Sequence, residues 1–236
     1  MRAILISSEQ KHCEFETGQS VVISGDQHHH LTKVVRVKVD EKILLLNGMG
    51  LKVITKILSI DKKSVKLEVL HSEQIEDKRF INLFLGLPKR DALELSIKMS
   101  VELGVKKIFL YESEFSQLKI SHLKKDRLHA VVESALIQSN NPYQPEIEFA
   151  EKLEQRAGSN LFLLSPNGTQ NYKKVDNIEE LVFFIGPEGG WSLNEEQEIL
   201  SFGAVELQLG DHILRTPTAV AAAMGYGQSI IHQSNN

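Results

Sequence analysis

From residue 80 to the C-terminus, short and almost wholly apolar runs alternate with longer helical stretches, and this alternation limits the fold more than any other feature. The runs fall at residues 80–85, 107–111, 161–164, 181–185 and 205–209, with helical stretches near 90–103, 122–138 and 192–202. Buried strands separated by helices predict a parallel sheet covered on both faces. Before residue 76 the texture differs. Strand patterns at 3–7, 20–24, 42–46, 51–60 and 64–71 are punctuated by Asn47-Gly48-Met49-Gly50 and Asp61-Lys62-Lys63. Val65, Leu67 and Val69 alternate as in a half-buried strand. One helix is expected over 26–37, opened by Asp26 as its N-cap. A small β-barrel with one helix, followed by an α/β domain, is therefore the predicted architecture. The charged Glu76-Asp77-Lys78-Arg79 is the candidate linker, giving domains at 1–74 and 75–236.

Charge narrows the function. The chain carries 27 basic and 31 acidic residues, a net −4, which excludes a uniformly basic nucleic-acid coat. The average hides a gradient of +1 over residues 1–76, +3 over 77–174 and −8 over 175–236. An anionic polymer would meet the first two-thirds and avoid most of the last third. A single Cys13 excludes an intrachain disulfide and a four-thiolate zinc site. Only Ala3-Ile4-Leu5-Ile6 follows Arg2 as an apolar run, too short for a signal-peptide core. The expectation is a cytoplasmic protein with no membrane partner and no metal.

Two segments carry chemistry. Ile185-Gly186-Pro187-Glu188-Gly189-Gly190-Trp191 leaves a buried strand, and Ser192 with Glu195 then fits a capping box. Its glycines let a backbone approach a ligand, and strand ends of open parallel sheets are ligand sites. The pattern is neither of the common glycine-rich phosphate loops. Leu209-Gly210-Asp211-His212-Ile213-Leu214-Arg215-Thr216-Pro217-Thr218-Ala219 repeats the strand–loop–helix arrangement, with Thr216 as N-cap and Pro217 at the first helical position. Arg215 is the one basic residue after Lys174. A third segment, His28-His29-His30, puts His29, Lys33 and Arg36 at i, i+4 and i+7, a cationic stripe on a helix suited to phosphates. Lys98 and Glu102 form an i, i+4 pair before Gly104 as helix terminator.

On these residues the chain resembles the RsmE-type 16S rRNA (uracil-N3)-methyltransferases of the SPOUT superfamily. Matching pieces are His29-His30-Leu31 with Val34-Val35-Arg36, Pro88-Lys89, Lys98 with Glu102-Leu103-Gly104, Gln138-Ser139, Pro145-Glu146-Ile147, residues 185–192, and 209–219. The resemblance implies a PUA-like N-terminal barrel and a C-terminal SPOUT α/β domain with a deep trefoil knot. It further implies a homodimer, S-adenosylmethionine as cofactor, and the small-subunit rRNA or 30S subunit as partner. Carried over by position, the cofactor residues are Leu163, Leu164, Ser165, Ile185, Gly186, Pro187, Gly189, Gly190, Leu209, Gly210, Ile213, Leu214, Thr216, Thr218 and Ala219. RNA contacts fall to His29, Lys33, Arg36 and Lys89. Departures from the family pattern are Ile137 for a glutamate, Asn140-Asn141 for an arginine, Pro217 for a glutamate, Trp191 for a phenylalanine, and Asp40-Glu41 for Gly-Asp.

Methylation of uracil N3 needs loss of its proton and stabilisation of the imidate that develops. N3 lies on the pairing edge, so the base must be extruded. Arg215 is expected to orient or polarise the uracil, Glu188 to face the sulfonium or fix the glycine loop, and Arg2 to reach the RNA or the site. A SPOUT methyltransferase with another RNA target and a silent ribosome-binding protein stay open as alternatives.

Overall fold

The computed structural model describes residues 1–6, 10–153, 160–169 and 178–234. Ser7, the expected end of the first strand, and the tail at 235–236 lie outside them. The chain forms two compact units, Met1–Asp77 with Glu133–Gln144, and Lys78–Val132 with Pro145–Asn236. No helix of the described residues is long and apolar enough to cross a membrane.

The first unit holds strands β1 (Arg2–Leu5), β2 (Ser20–Ser24), β3 (Lys42–Leu46), β4 (Leu51–Ile60) and β5 (Ser64–Gln74) in the order β1-β3-β4-β5-β2. β1 runs parallel to β3, and the remaining pairs are antiparallel. Both end strands feed one core. Ile4 of β1 and Val21 and Ile23 of β2 share a cluster with Ile43, Leu45, Val53, Ile57, Val65 and Leu67. A sheet whose two ends meet the same core is curled upon itself, as the alternation of inward residues required. The turn between β3 and β4 is set by Asn47, whose Oδ1 accepts the N–H of Met49 at 2.7 Å and of Leu51 at 2.9 Å.

The expected helix over 26–37 is not one α-helix. A short α1 (Gly25–His29) passes into a π-helical turn at His30–Val35, and Arg36 ends it with φ +54. β2 ends at Ser24 and the helix begins with the next residue, so Asp26 sits inside the first turn and Ser24 holds the N-cap position. The wider turn is held by two local bonds and one from across the unit. Thr32 Oγ1 donates to the His28 carbonyl at 2.8 Å, His28 Nε2 bonds the Asp61 carbonyl oxygen at 3.0 Å, and Val37 N–H reaches back to Leu31.

Residues 133–144 close the other face of this sheet. Ile137 packs against Ala3, Leu44 and Leu46 together with Leu5 and Ile54. Gly50 N–H donates to Pro142, Gln144 N–H to Gly48, and Tyr143 OH to the Ile75 carbonyl.

The second unit is built on a six-stranded sheet of order β11-β9-β10-β6-β7-β8, parallel throughout. Its strands are β6 (Ile81–Gly86), β7 (Lys107–Tyr111), β8 (Glu146–Ala150), β9 (Asn160–Thr169), β10 (Leu181–Ile185) and β11 (Val205–Leu207). Helices α2 (Arg90–Glu102), α4 (Leu193–Ser201) and α5 (Thr216–Ser234) complete it, with the first half of α3 (Lys125–Ser139), whose residues from Glu133 onward belong to the first unit. Every residue of β6 and β10 is buried, as central strands covered on both faces must be. On one face Phe84 stacks on Phe109 at 5.7 Å between ring centres and meets Phe184 at a tilt, at 5.1 Å, in a cluster with Ile199 of α4. On the other, Phe183 and Phe162 stack at 5.0 Å beneath Tyr226 of α5.

β8 was absent from the expected strands. Its Glu146 and Glu148 interrupt the apolar run, leaving Ile147, Phe149 and Ala150 as apolar positions. Lys107 of β7 meets both carboxylates, at 2.6 and 3.4 Å, which makes this edge acceptable. β11 stops at Leu207, two residues before the expected end, and β9 runs five residues further than expected.

Candidate active site

The parallel sheet leaves its strand ends where the chain reverses its march across the sheet, and there the ends of β9, β10 and β11 surround a cavity of about 290 Å³. Each edge has its own local reason. The pairing of β9 with β11 jumps from Leu163–Glu206 to Thr169–Leu207, so residues 164–168 bow out of the ladder. Leu164, Ser165 and Pro166 thereby line the cavity, and Ser165 Oγ accepts the Asn167 N–H at 3.2 Å. The expected loop at 163–165 is thus part of a bulged strand.

β10 delivers the glycine loop. The Pro187 carbonyl accepts the Gly190 N–H at 2.9 Å in a tight turn, and Gly190, its last residue, takes φ +74. A side chain on Gly186 would stand 2.8 Å from the carbonyl carbon of Gly190, so this position is closed by backbone. The capping box is formed: Ser192 N–H donates to Glu195 Oε2 at 2.9 Å and Glu195 N–H to Ser192 Oγ at 3.4 Å. The other Glu195 oxygen accepts Glu114 N–H at 3.0 Å, so a carboxylate that is buried is also satisfied.

β11 opens into the 208–215 loop, which supplies Gln208, Leu209, Gly210, His212, Ile213 and Leu214 to the cavity. Thr216 begins α5, but its hydroxyl donates to the Gly186 carbonyl at 3.3 Å and ties the two loops together. The expected N-cap role is not the one observed: Thr216 is the first helical residue and Pro217 the second, and the carbonyl of Arg215 before them accepts the Ala219 N–H at 2.9 Å.

Most of the residues assigned by position meet here. Leu164, Ser165, Ile185, Gly186, Pro187, Gly189, Gly190, Leu209, Gly210, Ile213, Leu214, Thr216 and Ala219 all line the cavity. Two do not. Leu163 is wholly buried in the sheet core, because strand alternation turns it away, and Thr218 is exposed on α5. Glu188 lines the cavity, and its carboxylate accepts the Lys89 N–H at 3.2 and 3.3 Å at the start of α2. Arg215 is exposed between the lining residues Leu214 and Thr216, without an ion pair among the described residues. Arg2 lies in the first unit, where its guanidinium donates to the Val35 carbonyl at 3.0 Å and to Glu41 at 3.4 Å. His29, Lys33 and Arg36 are exposed on that unit. The π-turn and the left-handed Arg36 break the regular stripe expected of a single helix. Lys89 is exposed in the second unit.

Sequence reasoning missed Pro166, Trp191, Glu196, Leu207 and Gln208 as lining residues, while His212 falls inside the expected 209–219 loop. Trp191 is buried, stands 6.1 Å from Tyr111 ring to ring, and has an indole Nε1–H without a partner among the described residues. Burial, and then the neighbouring Glu206 charge, push the Glu196 carboxyl above the usual range. Burial, helped by Glu195 and Glu198, does the same to the Tyr111 phenol. The glycine-loop motif could have pointed to Trp191. Nothing in the spacing marks Glu196 apart from the capping Glu195 beside it.

Residues 76–228 match the family model of the RNA methyltransferase domain, and residues 23–70 that of the RNA methyltransferase PUA domain. The chain belongs to this family of RNA methyltransferases. Among curated members, the ribosomal RNA small subunit methyltransferase E of Buchnera aphidicola subsp. Schizaphis graminum is 28% identical over 221 residues, covering 89% of this chain and 90% of the relative. The protein of that name from Synechocystis is 29% identical over 216 residues, covering 87% and 71%. A crystal structure of ribosomal RNA small subunit methyltransferase E from Neisseria gonorrhoeae, bound to S-adenosyl methionine, superposes with a TM-score of 0.82 at 26% identity over 98% of each chain. The family thus pairs the curled N-terminal sheet, its PUA-like domain, with the parallel sheet that carries the cavity.

Proposed function

We propose that this chain transfers a methyl group from S-adenosylmethionine to N3 of one uridine in small-subunit (16S) ribosomal RNA. The observation that carries the reading is the cavity where the ends of β9, β10 and β11 meet, in a chain that shares fold and family with a protein crystallised with that cofactor. The residues fit such a group. Leu164, Ile185, Leu209 and Leu214 offer apolar walls for a planar base, Gly186 and Gly190 let backbone groups approach, and the buried Nε1–H of Trp191 is a donor in want of an acceptor. Bound there, the cofactor supplies an electrophilic methyl on a sulfonium.

The chain's own residues do the positioning that in-line displacement demands. Arg215, exposed at the cavity's edge, orients the extruded uracil and stabilises negative charge at O2 or O4 as the N3 proton leaves. Glu188 holds the glycine loop to the start of α2 through the Lys89 N–H, rather than facing the sulfonium. Arg2 serves the first unit's own packing. The PUA-like domain, assigned to residues 1–74, binds RNA through His29, Lys33 and Arg36, and Lys89 adds a contact from the methyltransferase domain at 75–236. A trefoil knot in the cofactor loops, a homodimer acting on the 30S subunit, and a cytoplasmic location complete the reading.

The departures near residue 137 have a structural account that leaves this substrate standing. Ile137 fills an apolar patch, Asn140 takes φ +54, and Asn141 Oδ1 accepts the Tyr143 N–H at 2.9 Å. The test is transfer of labelled methyl to small subunits that lack the modification, followed by nucleoside mass analysis. N3-methyluridine at one position is expected. Arg215→Ala should lower turnover about a hundredfold or more with cofactor affinity unchanged. Near-normal turnover would remove Arg215 from the mechanism, and another methylated nucleoside would replace the substrate.

A further inference from the structure

The glycine loop that lines the cavity has further neighbours, at Pro187 and Gly189. There the turns that follow β6 and β7 meet it. A side chain on Gly86 would come within 2.7 Å of Pro187 Cδ and 3.0 Å of Ser113 Oγ, so the three turns are in close contact. The turn after β7 is held at both ends. Ser113 N–H donates to Ser116 Oγ at 2.9 Å, Ser116 N–H to the Ser113 carbonyl at 3.0 Å, and Gln117 N–H to Leu87 at 3.1 Å. Glu114 N–H is fixed by the buried Glu195 carboxylate. On this rigid turn sits Phe115, 42% exposed and the one aromatic among the exposed large apolar side chains of the described residues. Its Cβ lies where a Gly189 side chain would have to go, at 2.9 Å.

A fixed turn that keeps a phenyl ring in solvent, beside a loop that lines the cavity, has the form of a stacking platform. An extruded pyrimidine loses its neighbours and needs an aromatic face in their place. Trp191 cannot supply one, being buried among Phe84, Phe109 and Phe184. Lys89 is exposed on the adjoining turn, bonded to the glycine loop through Glu188, and offers a cation for the flanking phosphate. We propose that Phe115 is the stacking surface for the target base, a substrate-positioning residue beside Gly189 of the glycine loop. This rests on the functional reading above.

The test compares Phe115→Leu, Phe115→Tyr and Phe115→Trp with the wild type in methyl transfer to unmodified small subunits, with cofactor affinity measured by calorimetry. Leucine keeps the bulk and loses the π-face. It should lower kcat/KM about tenfold or more, while tyrosine and tryptophan stay within about threefold and cofactor affinity holds in all. Equal rates for leucine and phenylalanine, or a fall of all three variants with cofactor affinity, overturn the proposal. A wild type that transfers nothing to these subunits refutes the substrate instead. Photocrosslinking of the wild type to 4-thiouridine-substituted cellular RNA then decides: a crosslink at Phe115 sustains the platform, and none at residues 113–117 overturns it.

Discussion

Gly186 and Gly190 are both glycines for the sake of one loop, but for different reasons, and substitution separates them. At Gly186 a Cβ would lie 2.8 Å from Gly190 C, 3.0 Å from Gly190 Cα and 3.1 Å from Trp191 N, all backbone atoms. They cannot swing aside, because Gly190 N–H is bonded to Pro187 and Ser192 is locked in its capping box. Overpacking of this kind costs about 1–3 kcal/mol, and a backbone obstacle places Gly186→Ala near the upper end. At Gly190 nothing lies within 4 Å of a Cβ, and the cost is that of φ +74 alone, about 1–2 kcal/mol for alanine. Asparagine tolerates that conformation, so Gly190→Asn should recover part of the loss, whereas Gly186→Asn should be worse than Gly186→Ala. Thermal unfolding and calorimetric titration with S-adenosylmethionine share the readout. A loop that shifts to relieve the clash moves the cost from stability into affinity, at tenfold for each 1.4 kcal/mol. The sum of the two losses for Gly186→Ala should therefore reach about 2–3 kcal/mol. Full stability with full affinity in Gly186→Ala, or no advantage of asparagine over alanine at Gly190, would refute the reasoning.

Two other outcomes follow from charge. Arg127 grips Glu94 through two nitrogens, at 2.9 and 2.7 Å, and its hydrogen bond holds that carboxyl below the usual range. A depressed carboxyl stabilises the fold above its unfolded pKa and loses that contribution as pH falls through the folded one. The wild type should lose more melting temperature on acidification than Glu94→Gln, and parallel curves would deny the pair a role. Replacing Lys33 and Arg36 together by alanine should weaken RNA binding and flatten its salt dependence by about 0.7 in log–log slope for each lost phosphate contact on single-stranded RNA. Anisotropy titrations across a salt series measure this, and an unchanged slope would clear both side chains.

Elements whose cause is local were legible in the sequence. The runs at Lys107–Tyr111 and Leu181–Ile185 are strands at the expected bounds, and Ser192 with Glu195 forms the expected box, because apolar period and capping chemistry act within a few residues. What escaped was set at a distance. β8 forms by pairing along β7, about forty positions earlier in the chain, where Lys107 meets both of its exposed glutamates. The helix over 26–37 widens into a π-turn because His28 is drawn to Asp61 across the unit. The bow in β9 comes from its uneven pairing with β11, a register that no pattern in Leu163-Leu164-Ser165-Pro166 announces. The candidate site divides in the same way. Its two loops were visible as glycine and small-residue punctuation, while Trp191, Glu196 and Gln208 line it only because three strand ends converge.

That convergence also brings several elements to bear on the loop at 186–191. Thr216 holds the Gly186 carbonyl from α5, Lys89 holds Glu188 from α2, and Phe115 closes on Gly189 from the turn after β7. Glu195 reaches back from α4 to the N–H of Ser192 and across to that of Glu114. A single hexapeptide is thus held by α5, α2 and the turn after β7, while α4 fixes the Ser192 that follows it. The same loop lines the cavity and carries the contact with Phe115, so a displaced clamp is expected to disturb both. Methyl transfer fails on misplacements of about 1 Å, and a loop held by several elements is the arrangement that keeps a donor and an acceptor in register while each is bound by different residues.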